Sequence, residues 1–164
     1  LIYGISFFRE RFQTPTSLAS VIMLVAASSY TIGSLTTGRL VNKFGRKTIT
    51  VLTSLLAGTF TISYAYAPNL GLSVALNLLG AWFFGTASSA AISLTLEQIP
   101  KFRGTMMSIN SAAQSFGSAL GTALGGVALD IFNYETLGTI LGAMGVIAAA
   151  VFFLLTTDPT THQL

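Results

Sequence analysis

Two long stretches of this chain carry no charge at all, Phe12 to Gly38 and Thr48 to Leu96, and they are separated by a short basic run, Gly38-Arg39-Leu40-Val41-Asn42-Lys43-Phe44-Gly45-Arg46-Lys47-Thr48. About 20 apolar residues suffice to cross a hydrocarbon layer of roughly 30 Å. Charge-free runs longer than that, with basic residues confined between them, place the polar run between membrane spans. Composition supports the same reading, because only 8% of the residues are charged against roughly a quarter in soluble domains. An ordinary soluble domain is excluded.

The chain begins at Leu1 without a basic segment before an apolar core, so its start does not read as a signal peptide. Leu1 to Phe8 is too short to span and runs into Arg9-Glu10-Arg11, which reads as the end of a span begun upstream. Pro15 interrupts, with Thr16 and Ser17 available to cap the next helix, and the first whole span is expected over 17–39. The 49 uncharged residues from Thr48 to Leu96 are too many for one crossing at about 1.5 Å per residue. Pro68-Asn69 divides them into spans at 48–67 and 70–96. A polar connection over 97–103 leads to a fourth span at 104–129, and a turn around Asn133 to a fifth at 136–157. A polar tail, 158–164, follows. The expected fold is therefore all-α and polytopic: one transmembrane domain over 1–164, with five complete helices and the end of a sixth.

Lys and Arg accumulate in cytoplasmic loops. Lys43, Arg46, Lys47, Lys101 and Arg103 fall in the loops at 40–47 and 97–103, with Arg39 at the edge of the first, whereas the turns at Pro68 and Asp130 hold no basic residue. Those two loops and the tail at 158–164 are expected in the cytoplasm, with the protein in the plasma membrane.

The spacing of Gly38, Asn42, Lys43, Gly45, Arg46 and Lys47 resembles the loop signature G-x-L-x-D-R/K-x-G-R-R/K of the major facilitator superfamily, with Asn42 where the family usually has Asp. The resemblance implies half of a twelve-helix carrier, whose partners are the bilayer, a small-molecule substrate and the missing half of the same transporter. The third span has Ala81-Trp82-Phe83-Phe84-Gly85-Thr86-Ala87 where N-terminal halves of many antiporters carry R-x-x-Q-G-x-G. That absence favours the C-terminal half; the N-terminal half is the alternative. In the family such a basic loop latches the cytoplasmic helix ends. By the same resemblance Arg46 pairs with Glu97, with Arg103 in support, whereas the amide of Asn42 cannot carry the ionic half of a latch. The bland alternative is that these are topogenic charges in water, where an exposed pair contributes only about 0–1 kcal/mol.

Gly117, Gly121, Gly125 and Gly126 in the fourth span are similar to the family's antiporter motif G-x-x-x-G-P-x-x-G-G, with Thr122 in place of Pro. Glycines four apart also let a neighbouring helix approach closely in lipid, so helix packing explains them as well. Polar groups retained inside a span usually face a cavity or another helix. Asn110 and Gln114, one turn apart, are accordingly the leading cargo contacts, with Asn77 beside them and Tyr30 and Trp82 as apolar walls; interhelical packing is the competing role for each. Tyr64 and Tyr66 are expected in the interfacial aromatic belt.

Apart from Arg39 at the very end of the first, no Asp, Glu, Lys, Arg or His falls inside the five expected spans, so they offer no group for proton coupling, and neutral hydrogen-bonding residues suit an uncharged or amphiphilic cargo. The expected function is small-molecule transport by a secondary carrier of the drug or metabolite efflux type. An uptake carrier, a channel or a non-transporting scaffold are the alternatives. No catalytic residues, cofactor or metal are expected: the single histidine, His162, is in the tail, cysteine is absent, and no nucleotide-binding or zinc-protease motif occurs. Basic residues do not gather with aromatics on a solvated face, which gives no support to nucleic-acid binding.

Overall fold

A computed structural model describes residues 3–156; the expected tail at 158–164, with His162, lies outside them. The order is α1 (Gly4–Phe12), α2 (Thr16–Phe44), α3 (Arg46–Ala65), α4 (Leu70–Gln98), a 3₁₀ turn (Pro100–Phe102), α5 (Arg103–Ile131) and α6 (Tyr134–Leu155), with no strand among the described residues. Four helices, α2, α3, α4 and α6, are long and apolar enough to cross a membrane. α5 matches α2 and α4 in length, but Gly, Ser and Thr, with Asn110 and Gln114, dilute its apolarity.

α3 packs against α4 on one side and α6 on the other, and α2 packs against α4. α1 lies over the end of the bundle opposite the turn at Gly45. There Phe7 and Phe8 are fully buried with Ala19 and Ile22, and the Phe7 ring meets Tyr64 edge-on at 5.2 Å. Tyr64 is therefore no interfacial anchor, because α1 folds down onto it. Tyr66 is exposed, its hydroxyl 3.0 Å from that of Thr139.

The polar connections are tighter than hydropathy implies. The loop expected at 40–47 shrinks to one residue, Gly45, at φ 84°, a left-handed value at which glycine meets no steric penalty. α2 continues through Arg39, Asn42 and Lys43, so Gly38 is inside a helix and not at its end. Likewise α4 runs to Gln98 before the 3₁₀ turn. The hydrocarbon boundary limits apolar side chains and not the backbone ladder, which continues into the polar zone. Pro15, and neither Thr16 nor Ser17, occupies the cap of α2; Thr14 instead turns back and donates its hydroxyl to the Phe8 carbonyl at 2.8 Å.

Elsewhere asparagine caps as its chemistry allows. Asn69 Oδ1 accepts from the Leu72 amide at 2.9 Å, and Asn133 Oδ1 accepts from the amide and hydroxyl of Thr136 at 3.0 and 3.1 Å. Asn133→Ala is expected to destabilise the protein by about 1 kcal/mol, read as a lowered thermal midpoint of the purified protein in detergent. An unchanged midpoint would mean that water replaces the cap fully.

The closest helix crossings use glycines other than those of the α5 stripe. A Cβ on Gly33 would strike the Trp82 backbone carbonyl, and one on Gly85 would strike that of Tyr30, so α2 and α4 touch backbone to backbone. Around this point Ser29 donates to the Leu78 carbonyl at 2.8 Å, Thr86 to the Gly33 carbonyl at 3.1 Å, and the Ser34 and Ser89 hydroxyls lie 2.6 Å apart. α3 and α6 cross in the same way at Gly58, Gly142 and Gly145. By contrast, a Cβ at Gly117 or Gly121 would meet nothing within 4 Å, while Gly125 and Gly126 face Tyr3, the residue before α1. Within the described residues, then, the expected packing stripe is used only at its far end, because α5 buries only Gly125 and Ala128.

Candidate functional site

The basic end of the bundle brings together residues far apart in sequence. Gly45 turns the chain within one residue, which fixes Arg46 in the first turn of α3, while Glu97 closes α4 and Arg103 opens α5. One carboxylate oxygen, Glu97 Oε1, lies 3.7 Å from Arg46 Nη2 and 3.2 Å from Arg103 Nη2. The side chains of Arg46 and Glu97 are only 23% and 27% exposed, against 59% for Arg103. Screening by water therefore weakens the Arg103 contact far more than the Arg46 one. The cluster ties α3, α4 and α5 at one point. Lys43 sits over the Phe44 ring at 5.2 Å and Lys47 over the Phe153 ring of α6 at 5.5 Å. Asn42 is exposed on the last turn of α2.

The five residues expected at a cargo cavity are not gathered into one. Tyr30 packs against Phe84 at 5.9 Å. Trp82 stands edge-on to Phe83 at 5.0 Å and lines an apolar groove nearer the basic end. Asn77 lines a small cavity of about 70 Å³ at the opposite end, among Tyr3, Phe7, Met23, Tyr64 and Tyr134, where its Oδ1 is buried without a hydrogen-bond partner. Asn110 is half-buried and Gln114 exposed on α5. Among the described residues, no three His, Cys, Asp or Glu side chains converge as a metal site would need.

Two features escaped the sequence. The ion pair of Arg11 with Glu135 joins the end of α1 to the start of α6. Its only signal was that both residues flank turns on the side where Arg9 and Arg11 are the basic charges among the described residues. The Gly33 and Gly85 crossing was invisible to single-helix spacing, since each glycine's partner lies on the other helix.

A multi-pass helical bundle with its charges confined to its two ends, most of the basic ones at one of them, is an integral membrane protein. The profile of the Major Facilitator Superfamily matches residues 1–164, and the chain belongs to that family. It is 27% identical over 161 residues to the uncharacterized MFS-type transporter YybF of Bacillus subtilis, covering 95% of this chain and 38% of that protein. It is 27% identical over 136 residues to the 4-hydroxybenzoate transporter PcaK of Acinetobacter baylyi, covering 81% and 30%. The multi-drug resistance efflux pump PmrA homolog of Lactococcus lactis is 28% identical over 120 residues, covering 71% and 29%. The chain thus spans about a third of the length of these relatives.

Proposed function

We propose that this chain forms most of one half, the C-terminal one, of a secondary carrier that moves a small amphiphilic molecule by alternating access, exporting a drug-like compound or metabolite. The observation that carries the reading is the cluster of Arg46, Glu97 and Arg103, which joins three helix ends through a single shared carboxylate. Such a cluster releases all three ends when it opens, as a carrier needs when one side closes and the other opens. It would act on the cytoplasmic face of the plasma membrane, where the basic residues concentrate. α5, with its sparse contacts and its Asn110 and Gln114, would face the cargo path and the remaining half of the carrier. Asn77, Tyr30 and Trp82 would contribute through helix packing or at separate points of the path, given their separation. The relative named as a multi-drug efflux pump homolog supports export. A second reading, uptake of a hydroxylated aromatic acid, is favoured by the relative named as a 4-hydroxybenzoate transporter.

Reconstitution of the intact protein into proteoliposomes tests these readings. Saturable flux with counterflow of an amphiphilic drug is the expected result. Saturable flux of hydroxybenzoate alone selects the uptake reading, and conductance that never saturates, or no flux at all, removes the carrier. Cysteines placed at Thr48 and Asn69 are expected to label from the cytoplasm and from outside, respectively. The opposite pattern would invert the orientation.

A further inference from the structure

α2 and α3 diverge from their shared turn at Gly45, and the gap between them is a groove of about 210 Å³ floored by Trp82 and Phe83 of α4 and walled by Leu40, Phe44, Leu52 and Leu56. Its walls are wholly apolar. Even Thr53 presents no polar atom there, because its hydroxyl donates to the Ile49 carbonyl at 2.6 Å. The rim is the reverse. Lys43 Nζ lies over the ring of the groove residue Phe44 at 5.2 Å, and Arg39 is exposed one turn before it on α2. Across the gap α3 begins with Arg46 and Lys47, with no acidic residue in its first turn and no side-chain cap on its amides. Cations at a helix N-terminus oppose the helix dipole, whereas an anion there is stabilised. Among the described residues, Glu97 is the carboxylate that pairs with basic residues at this end, through Arg46 and Arg103, and Asn42 adds no charge.

We infer that this groove binds an anionic phospholipid of the surrounding bilayer, one acyl chain lying against Trp82 and Phe83 and the phosphate held between Arg39 and Lys43 on α2 and the start of α3. An apolar channel ending in a basic, uncapped rim is complementary to a chain joined to a phosphate and to neither part alone. Each basic residue near a membrane surface adds about 1 kcal/mol for an anionic lipid, or about fivefold in affinity. The inference requires only the family's place in the bilayer. Loss of transport with lipid selectivity intact would count against the carrier reading and leave this one standing.

Trp82, the single tryptophan of the chain, reports on the groove directly. The intact protein in nanodiscs is titrated with phosphatidylglycerol or phosphatidylcholine brominated on the acyl chains, and the share of Trp82 is taken as the difference from Trp82→Phe. Phosphatidylglycerol is expected to quench at a several-fold lower mole fraction than phosphatidylcholine. The double variant Arg39→Gln with Lys43→Gln is expected to reduce that preference by tenfold or more. Equal quenching by both lipids overturns the inference by showing no headgroup selection, and absence of quenching overturns it by showing the groove filled by protein or cargo. Native mass spectrometry of co-purified lipid gives a second readout that needs no tryptophan variant: retained phosphatidylglycerol, lost in the double variant, is expected, and retention of neutral lipid alone contradicts the site.

Discussion

Gly85→Leu is expected to destabilise the protein by about 3 kcal/mol, the upper end of overpacking in a close-packed interior, and to lower its thermal midpoint in detergent more than any substitution on the exposed faces. The reason is what the new side chain would meet. At Gly85 the first added carbon already falls on the Tyr30 backbone carbonyl, and at Gly33 on that of Trp82. Backbone cannot rotate aside as a side chain can, so α2 and α4 must separate. That separation would also break the hydrogen bonds from Ser29 and Thr86 across the crossing. Gly33→Leu is expected to behave alike. Gly38→Ala, in the same helix as Gly33 but with nothing within 4 Å, serves as the control. It is expected to be neutral or to stabilise by up to about 1 kcal/mol, the helix-propensity gain over glycine. Equal midpoints for Gly85→Leu and Gly38→Ala would refute the backbone crossing.

Glu97→Gln is the substitution expected to lower transport most without preventing insertion. It leaves an amide of the same shape but deprives two guanidinium groups of their shared counter-charge. The change removes the Arg46 ion pair at 3.7 Å, whose partners are both only about a quarter exposed, and the charge on the acceptor of the Arg103 hydrogen bond at 3.2 Å; after screening by water the two together are expected to amount to roughly 1–2 kcal/mol. A loss of that size from the closed end corresponds to about a tenfold fall in initial flux, measured in proteoliposomes at matched protein content. Arg46→Ala is expected to match it, and Arg103→Ala to have little effect, since Arg103 is mostly exposed. Wild-type flux for Glu97→Gln would leave the cluster as topological charges only.

Much of the fold was legible because the membrane writes itself into sequence. Charge-free length marked the helices now seen as α2, α3, α4 and α6, and Pro68-Asn69 marked the turn at which Asn69 caps α4. What hydropathy could not reveal was where the backbone ladder ends. The helix of α2 passes through Asn42 and Lys43 to a turn of one residue, which only the left-handed conformation of Gly45 permits. Nor could spacing within one helix reveal packing between two. The regular stripe at Gly117 and Gly121 drew attention, yet the backbone contacts are made by Gly33, Gly85, Gly58 and Gly142. Tyr64 looked interfacial because it precedes a turn, and the descent of Phe7 onto it was not encoded locally. The proposed cargo residues were chosen by polarity and depth. Which way each side chain turns around its helix depends on neighbours, and here the neighbours disperse them.

The one-residue joint at Gly45 makes α2 and α3 the two arms of an elbow. A connection of several residues would absorb a swing of either arm, but this one has no slack to do so. The 29 residues of α2 extend about 43 Å, so a pivot of about 5° at the joint carries its far tip about 4 Å. Small rearrangements among the charges beside Gly45 would thus be magnified into displacements at the opposite surface, with the length of the helix serving as the lever.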